Sequence, residues 1–160
     1  GKLYQDCFDS KEMECINEAI SPANQKMAAW VDSYINDQSV FNGILASCDI
    51  FYIVYKNFMH SSNILTKAAF LKKPVICSKE NYIGEKVCEY NLGTMVNDPT
   101  DIKEISNALH ITISNYKIIK DSALFDNFFK LNSLEMLKQK FGDFLYLFES
   151  MSINKKFECE

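Results

Sequence analysis

An α/β fold built on a mostly parallel sheet is what this sequence predicts, and three observations carry the prediction. Short apolar runs alternate with helical stretches of roughly ten residues, the pattern of βαβ units. The run "IFYIVY" at Ile50 to Tyr55 is apolar at successive positions instead of alternating, as expected for a strand covered on both faces. Beyond Tyr116 the strand signals cease and only helical periodicity remains, so extra helices are expected at the C-terminal end.

The elements follow in order. An acidic, capped helix is expected near Asp9 to Ile20, then a strand over "MAAWVDSYI", Met27 to Ile35. A helix around Asp37 to Ser47 leads into the strand "DIFYIVY". Ser61 or Ser62 is a natural N-cap for a helix running to about Lys72, because a serine hydroxyl accepts from the orphan N–H groups of a first turn. "PVICS" is the next strand, followed by a helix near Ile83 to Tyr90 and the short strand "GTMV". Asp101 and Glu104 have capping-box spacing ahead of a helix reaching about Lys117. Leu134, Leu137, Phe141, Phe144, Leu145 and Phe148 then fall on one helical stripe, and the polar tail from Ser152 to Glu160 is expected to fray.

Composition narrows the function classes. With 160 residues the chain is long enough for one domain with a sizeable core, and its 48% hydrophobic content is that of an ordinary globular protein. No stretch reaches the length of a membrane-spanning helix, and Gly1 to Ser10 lacks the basic start and apolar run of a secretory signal. A net charge of −4 argues against nucleic acid as the partner. All 17 basic residues are Lys, so any anion must be held by Lys, hydroxyls and backbone N–H groups; AT-rich coding is the plainer account of the missing Arg. The six Cys form no CxxC pair and no cluster with His60 or His110, which points to a reducing cytosol and to no metal site.

The break from Tyr55 to Ser61 lies where parallel α/β sheets bind ligands, beyond the carboxyl end of a strand and ahead of a helix N-terminus. It can receive a phosphate or a sugar hydroxyl, or it can be an ordinary loop with a serine cap. "GKLYQDCFDSKEME" reads like the end of a strand, so at least one βα unit is expected upstream.

From Cys48 to Leu109 the chain resembles the C-terminal, donor-binding domain of GT-B glycosyltransferases, especially the large retaining group called family 4. Asp49, Tyr55, Ser61-Ser62, Ala68, Pro74-Val75-Ile76, Gly84-Glu85, Gly93 and Asp98 match that group's motifs in order, and the likeness extends over about Trp30 to Leu109. The resemblance implies a Rossmann-like three-layer αβα parallel sheet over residues 1–160, lacking its first βα unit and the N-terminal acceptor domain, with a helical segment over 118–151. It implies a nucleotide-sugar of unspecified base as donor substrate and no cofactor or metal. The parent enzyme would transfer a sugar to a glycan or lipid-linked acceptor in surface polysaccharide synthesis. It would be cytoplasmic, with room for peripheral association with the inner face of the membrane, and the chain alone would be inactive.

By the same resemblance, the nucleotide-sugar candidates are His60, Ser61, Ser62, Asn63, Lys67, Tyr34, Gly84 and Glu85. Each also has a plainer account: a cap for the serines, a solvated lysine at Lys67, rim packing for Tyr34, close packing for Gly84, a first-turn charge for Glu85. Lys56 and Lys79, on strand-end loops, are weaker candidates. The group carries two glutamates eight positions apart where this chain has Met59 and Lys67, and neither replacement accepts a hydrogen bond as a carboxylate does. A degenerate, non-catalytic module for partner binding is therefore the alternative, and half of a sugar-nucleotide epimerase a more distant one.

Overall fold

The computed structural model describes residues 8–19, 21 and 34–157. Contacts divide the chain into two compact units, Gly1–Ile44 and Leu45–Glu160.

In the first unit, helix α1 covers Ser10–Ala19. Asp9 Oδ1 accepts from the N–H groups of Lys11 and Glu12 at 2.8 and 2.9 Å, and the Glu12 carboxylate accepts from the Asp9 N–H at 2.9 Å. Two orphan donors are thus satisfied reciprocally, as in a capping box. Helix α2, Gln38–Ser47, begins on Asp37, whose Oδ1 accepts from Ser39 and Val40, and it runs on into the second unit. The strand expected over Met27 to Ile35 falls mostly outside the described residues; Tyr34 and Ile35, at its end, carry no regular structure.

The second unit is α/β. Strand β1 (Phe51–Ile53), helix α3 (Asn63–Phe70), strand β2 (Val75–Ser78), helix α4 (Asn81–Glu89), strand β3 (Gly93–Val96) and helix α5 (Ile102–Ser114) follow one another. The strands form an open parallel sheet in the order β1-β2-β3, with Phe51 opposite Val75 and Val75 opposite Gly93. Such pairing needs a crossover between strands, which α3 and α4 supply. Gly93 is required by this register, since a Cβ there would stand 1.9 Å from the Val75 carbonyl oxygen.

Side-chain alternation along the strands separates two clusters. Phe51, Ile53, Val75 and Cys77 pack with Leu65, Ala68 and Ala69 of α3 and with Ile83 and Val87 of α4. Ala68 and Ala69 have almost no exposed surface, so small residues let α3 approach the sheet closely. Ile76 and Val96 pack instead with Ala108 of α5. Each fully buried large aliphatic side chain here contributes roughly 1.5–3 kcal/mol relative to exposure. Thr112 is buried on α5, where its hydroxyl bonds the Ala108 carbonyl at 2.7 Å and the Thr94 hydroxyl at 2.8 Å.

Several sequence expectations need correction. Strand β1 keeps only three of the expected residues, and Tyr52 at its centre is 56% exposed. It is an edge strand of the described sheet, and among the described residues α5 packs mainly on β3 and β2, which leaves Tyr52 exposed. Helix α3 stops at Phe70, where Lys72 takes a left-handed φ of 54°; Asn91 does the same at 53° after α4. Left-handed residues commonly end helices in this way. Asp101 caps α5 by accepting from Lys103 and Glu104, but Glu104 does not complete a capping box. Helix α5 breaks at Asn115, short of Lys117, and α6 follows as Tyr116–Ser122.

Helix α7, Phe125–Leu131, buries Phe125 and Phe128 in the main core. Phe128 meets Tyr90 edge-on with ring centroids 5.4 Å apart, and Phe129 lies 5.1 Å from Phe70. Helix α8, Leu134–Phe157, starts where the Ser133 hydroxyl accepts from the Met136 N–H, and it continues to Phe157, into the stretch expected to fray, whose last three residues lie outside the described ones. Its Leu134, Leu137, Phe141, Phe144 and Leu145 are exposed. No helix among the described residues is long and apolar enough to cross a membrane.

Candidate functional site at the carboxyl edge of the sheet

Three loops leave the carboxyl ends of β1, β2 and β3 and enclose a pocket of about 250 Å³ lined by Lys56, Asn57, Glu80, Asn97, Asp98, Pro99 and Thr100. A narrow crevice beside it is lined by Tyr55, Phe58, Ser78 and Glu80 among others, so Glu80 borders both.

The β1 loop is fixed by a serine on the neighbouring strand. Ser78 Oγ accepts from the Tyr55 N–H at 2.9 Å and donates to the Tyr55 carbonyl at 2.5 Å. This bond pair continues the β1–β2 contact past the last ladder pair, Ile53 opposite Cys77, by means of a side chain. Asn57 then turns the chain with φ of 56°, a conformation asparagine tolerates better than most residues. Phe58 follows, its ring 4.8 Å from Tyr55 and edge-on to His60 at 5.8 Å.

The β2 loop begins with the Lys79 N–H donating to the Val96 carbonyl at 2.8 Å. Glu80 is the N-cap residue of α4, yet its side chain makes no capping bond. Helix α4 lies so close behind that a Cβ on Gly84 would stand 1.9 Å from the Lys79 carbonyl oxygen.

The β3 loop is organised by Glu104. Instead of returning to its own cap, its carboxylate accepts from the N–H groups of Asn97 and Asp98 at 2.8 and 2.9 Å and from the Asn97 side-chain amide at 2.6 Å. The Asn97 N–H, then the Asp98 N–H, hold the Glu104 carboxyl below its ordinary range. Asp98 in turn accepts from the Thr100 hydroxyl at 2.6 Å and the Thr100 N–H at 2.8 Å. Those bonds, the hydroxyl first, and the nearby Lys56 charge lower its pKa as well. Hydrogen bonds to the ionised form favour it over the protonated one.

The structure gathers some of the sequence candidates and disperses others. His60, Ser61, Ser62 and Asn63 are consecutive at the start of α3, and all but the half-buried Ser62 are exposed. Ser62 is the N-cap, its hydroxyl accepting from the Ile64 N–H at 3.2 Å. None of these four lines the 250 Å³ pocket. Lys67 is half-buried on the last turn of α3, and Met59 is 74% exposed. Gly84 is buried and serves the close approach to Lys79, while Glu85 is exposed on α4. Tyr34, 82% exposed, belongs to the first unit.

Sequence reasoning singled out Lys56 but not Asn57, Glu80, Asn97 or Thr100, and it took Asp98 only as a motif match. The available signal was positional: each follows an apolar strand within a few residues, at the level where parallel sheets bind ligands. Among the described residues no group of three or more His, Cys, Asp or Glu could hold a metal ion.

Comparison with known proteins gives no match to a family model, to a curated protein or to a solved structure. The chemistry of the edge itself is a set of hydrogen-bonding groups around a small, open space. Lys56 supplies an ammonium, Asn57 an amide and Glu80 a carboxylate, whereas Asp98 and Asn97 are already engaged in holding their loop. Such a set suits a hydroxylated ligand better than an apolar one.

Proposed function

We propose that this chain is the donor-binding domain of a GT-B glycosyltransferase, a Rossmann-like three-layer αβα unit that holds a nucleotide-sugar at the carboxyl edge of its sheet. The observation that carries this reading is the convergence of Lys56, Glu80 and Asp98, from three successive strand ends, on one polar pocket. The same loop that supplies Lys56 leads into the serine-bearing start of α3.

In this reading the sugar hydroxyls occupy the pocket. The diphosphate lies toward Ser61 and Ser62, where hydroxyls and first-turn N–H groups favour an anion. Catalysis in the parent enzyme rests on positioning and on stabilising charge that develops on the leaving diphosphate. A glycan or lipid-linked acceptor is brought by another domain, in surface polysaccharide synthesis at the cytoplasmic side of a membrane. The isolated chain accordingly binds donor without turning it over.

Calorimetric titration with UDP, GDP and ADP tests this, with Ser61→Ala/Ser62→Ala as the paired variant. Binding of one nucleotide, weakened by the double substitution, supports the proposal. Absence of binding, in this chain and in the full-length protein, overturns it.

A second reading is a non-catalytic module of the same fold. Met59 favours it, since an exposed thioether stands at a position where the family offers a sugar-facing carboxylate. Full stability together with silence toward every nucleotide is the result that reading expects.

A further inference from the structure

We propose that the pocket accepts a neutral or amino-bearing sugar and rejects an acidic one, with Glu80 as the specificity-determining residue. The proposal rests on the donor-binding reading above.

Three charged side chains line the pocket: Lys56, Asp98 and Glu80. Asp98 is tied to Thr100 through its hydroxyl and N–H, and the Lys56 charge is close enough to act on it. One ammonium and two carboxylates leave the lining with a net charge of −1. Among the described residues neither Lys56 nor Glu80 forms an ion pair within 4 Å.

Among the described residues Glu80 also differs from most polar cap residues, although Asn115, before α6, likewise makes no capping bond. Asp9, Asp37, Ser62, Asp101 and Ser133 each accept from an N–H of the helix they precede. Glu80 makes no such bond, although it occupies the N-cap of α4. Its oxygens therefore retain their accepting capacity at the junction of the pocket and the crevice beneath Tyr55 and Phe58.

An ionised carboxylate only accepts, and it can take two hydroxyl donors at once. The Lys56 ammonium and the Asn57 amide can donate to the same hydroxyls. A pocket of about 250 Å³ is smaller than the roughly 300–1,000 Å³ typical of drug-sized ligand sites, which matches one sugar ring and not a whole nucleotide-sugar. A hexuronate would bring a further carboxylate into a pocket whose charged side chains already sum to −1, with Glu80 the carboxylate not tied into a loop. Like charges repel, and one ammonium does not balance three carboxylates, so the acidic sugar is disfavoured. An amino sugar would instead pair its ammonium with Glu80. The same net negative charge keeps the diphosphate out of the pocket and thereby sets which way the donor lies.

The test is a chemical-shift titration of the labelled chain with α-glucose 1-phosphate, glucosamine 1-phosphate and glucuronic acid 1-phosphate, run beside UDP, GDP and ADP. Expected are shifts at Asn57, Glu80 and Asn97 with the first two. Binding of the glucuronic ester should be about tenfold weaker or worse, a difference of about 1.4 kcal/mol. Glu80→Gln should shrink that ratio to about threefold or less, whereas Glu80→Asp should preserve it by keeping the charge. Equal or tighter binding of the glucuronic ester to the wild type overturns the inference, as does an unchanged ratio in Glu80→Gln. If a nucleoside diphosphate binds while sugar phosphates perturb only Ser61 to Asn63, this inference fails and the donor-binding reading stands. If nothing binds, both fail.

Discussion

Ser78 holds Tyr55 by both backbone groups at once, accepting from its N–H and donating to its carbonyl. Ser78 is buried, so Ser78→Ala leaves two main-chain groups without their partner. An unsatisfied buried polar group costs about 1–3 kcal/mol, and the variant should lose about that much in urea unfolding. A loss below about 0.5 kcal/mol would show that water replaces the hydroxyl at no cost.

Gly84→Ala should destabilise by at least the ~1–3 kcal/mol of an overpacked core position, because its methyl collides with main-chain atoms of Lys79 and not with a movable side chain. The displaced turn carries Glu80, so ligand affinity should fall with stability. Unfolding midpoints paired with binding isotherms check both effects. Full stability in this variant would remove the packing role assigned to Gly84.

Phe128→Ala should cost roughly 3–5 kcal/mol, the usual loss for a large aromatic side chain in a core. The transition should stay single, because Phe128 shares one cluster with Phe51, Val75 and Leu65. Two separate transitions by circular dichroism and tyrosine fluorescence would instead make α7 an independently melting segment.

Glu104 sets an acid limb of stability. Its folded pKa lies below the ordinary value of 4.5, because backbone N–H groups of Asn97 and Asp98 favour the ionised form. A depressed carboxyl pKa contributes fully above the unfolded value and is lost as pH falls through the folded one. The gap in urea midpoint between wild type and Glu104→Gln should therefore be widest near neutral pH and narrow in acid. A gap that widens in acid would contradict the assignment.

Cys77 is buried, and burial pushes its thiol up to about 12, while Cys15 and Cys88 are exposed. Since the thiolate is the reactive form, iodoacetamide at mildly alkaline pH should label Cys15 and Cys88 in the native state and Cys77 only after unfolding. Peptide mass mapping over time reads this directly.

The parallel α/β core was legible in the sequence because its signals are local. "PVICS" and "GTMV" are apolar runs bounded by helices, and Asp101 and Ser62 announce their caps by residue type. What stayed hidden depends on long-range placement. That β1 has three residues and an exposed Tyr52 goes with its place at the edge of the described sheet, which no local pattern encodes. Glu104 had the spacing of a reciprocal cap, but the folded β3 loop offered it three N–H donors. The candidate site was half legible: the break before α3 and the pocket lie at the same edge of the sheet, but Lys56, Glu80 and Asp98 become neighbours only when three strands align. Gly84 had a packing account in the sequence, and only the folded distance to Lys79 gives that account its physical content.

Each of the three loops is held by a residue that does not line the 250 Å³ pocket: Ser78 for the first, Gly84 for the second, Glu104 for the third. Part of the anchoring thus lies outside the pocket lining, while Asn57, Asn97 and Asp98 both line the pocket and shape their loops. Lys56 and Glu80 can each be exchanged without touching those three anchors, whereas Asn57 also carries the left-handed turn of its loop. The scaffold therefore offers a natural template for a combinatorial library, in which ligand preference drifts by single substitutions while the architecture stays constant.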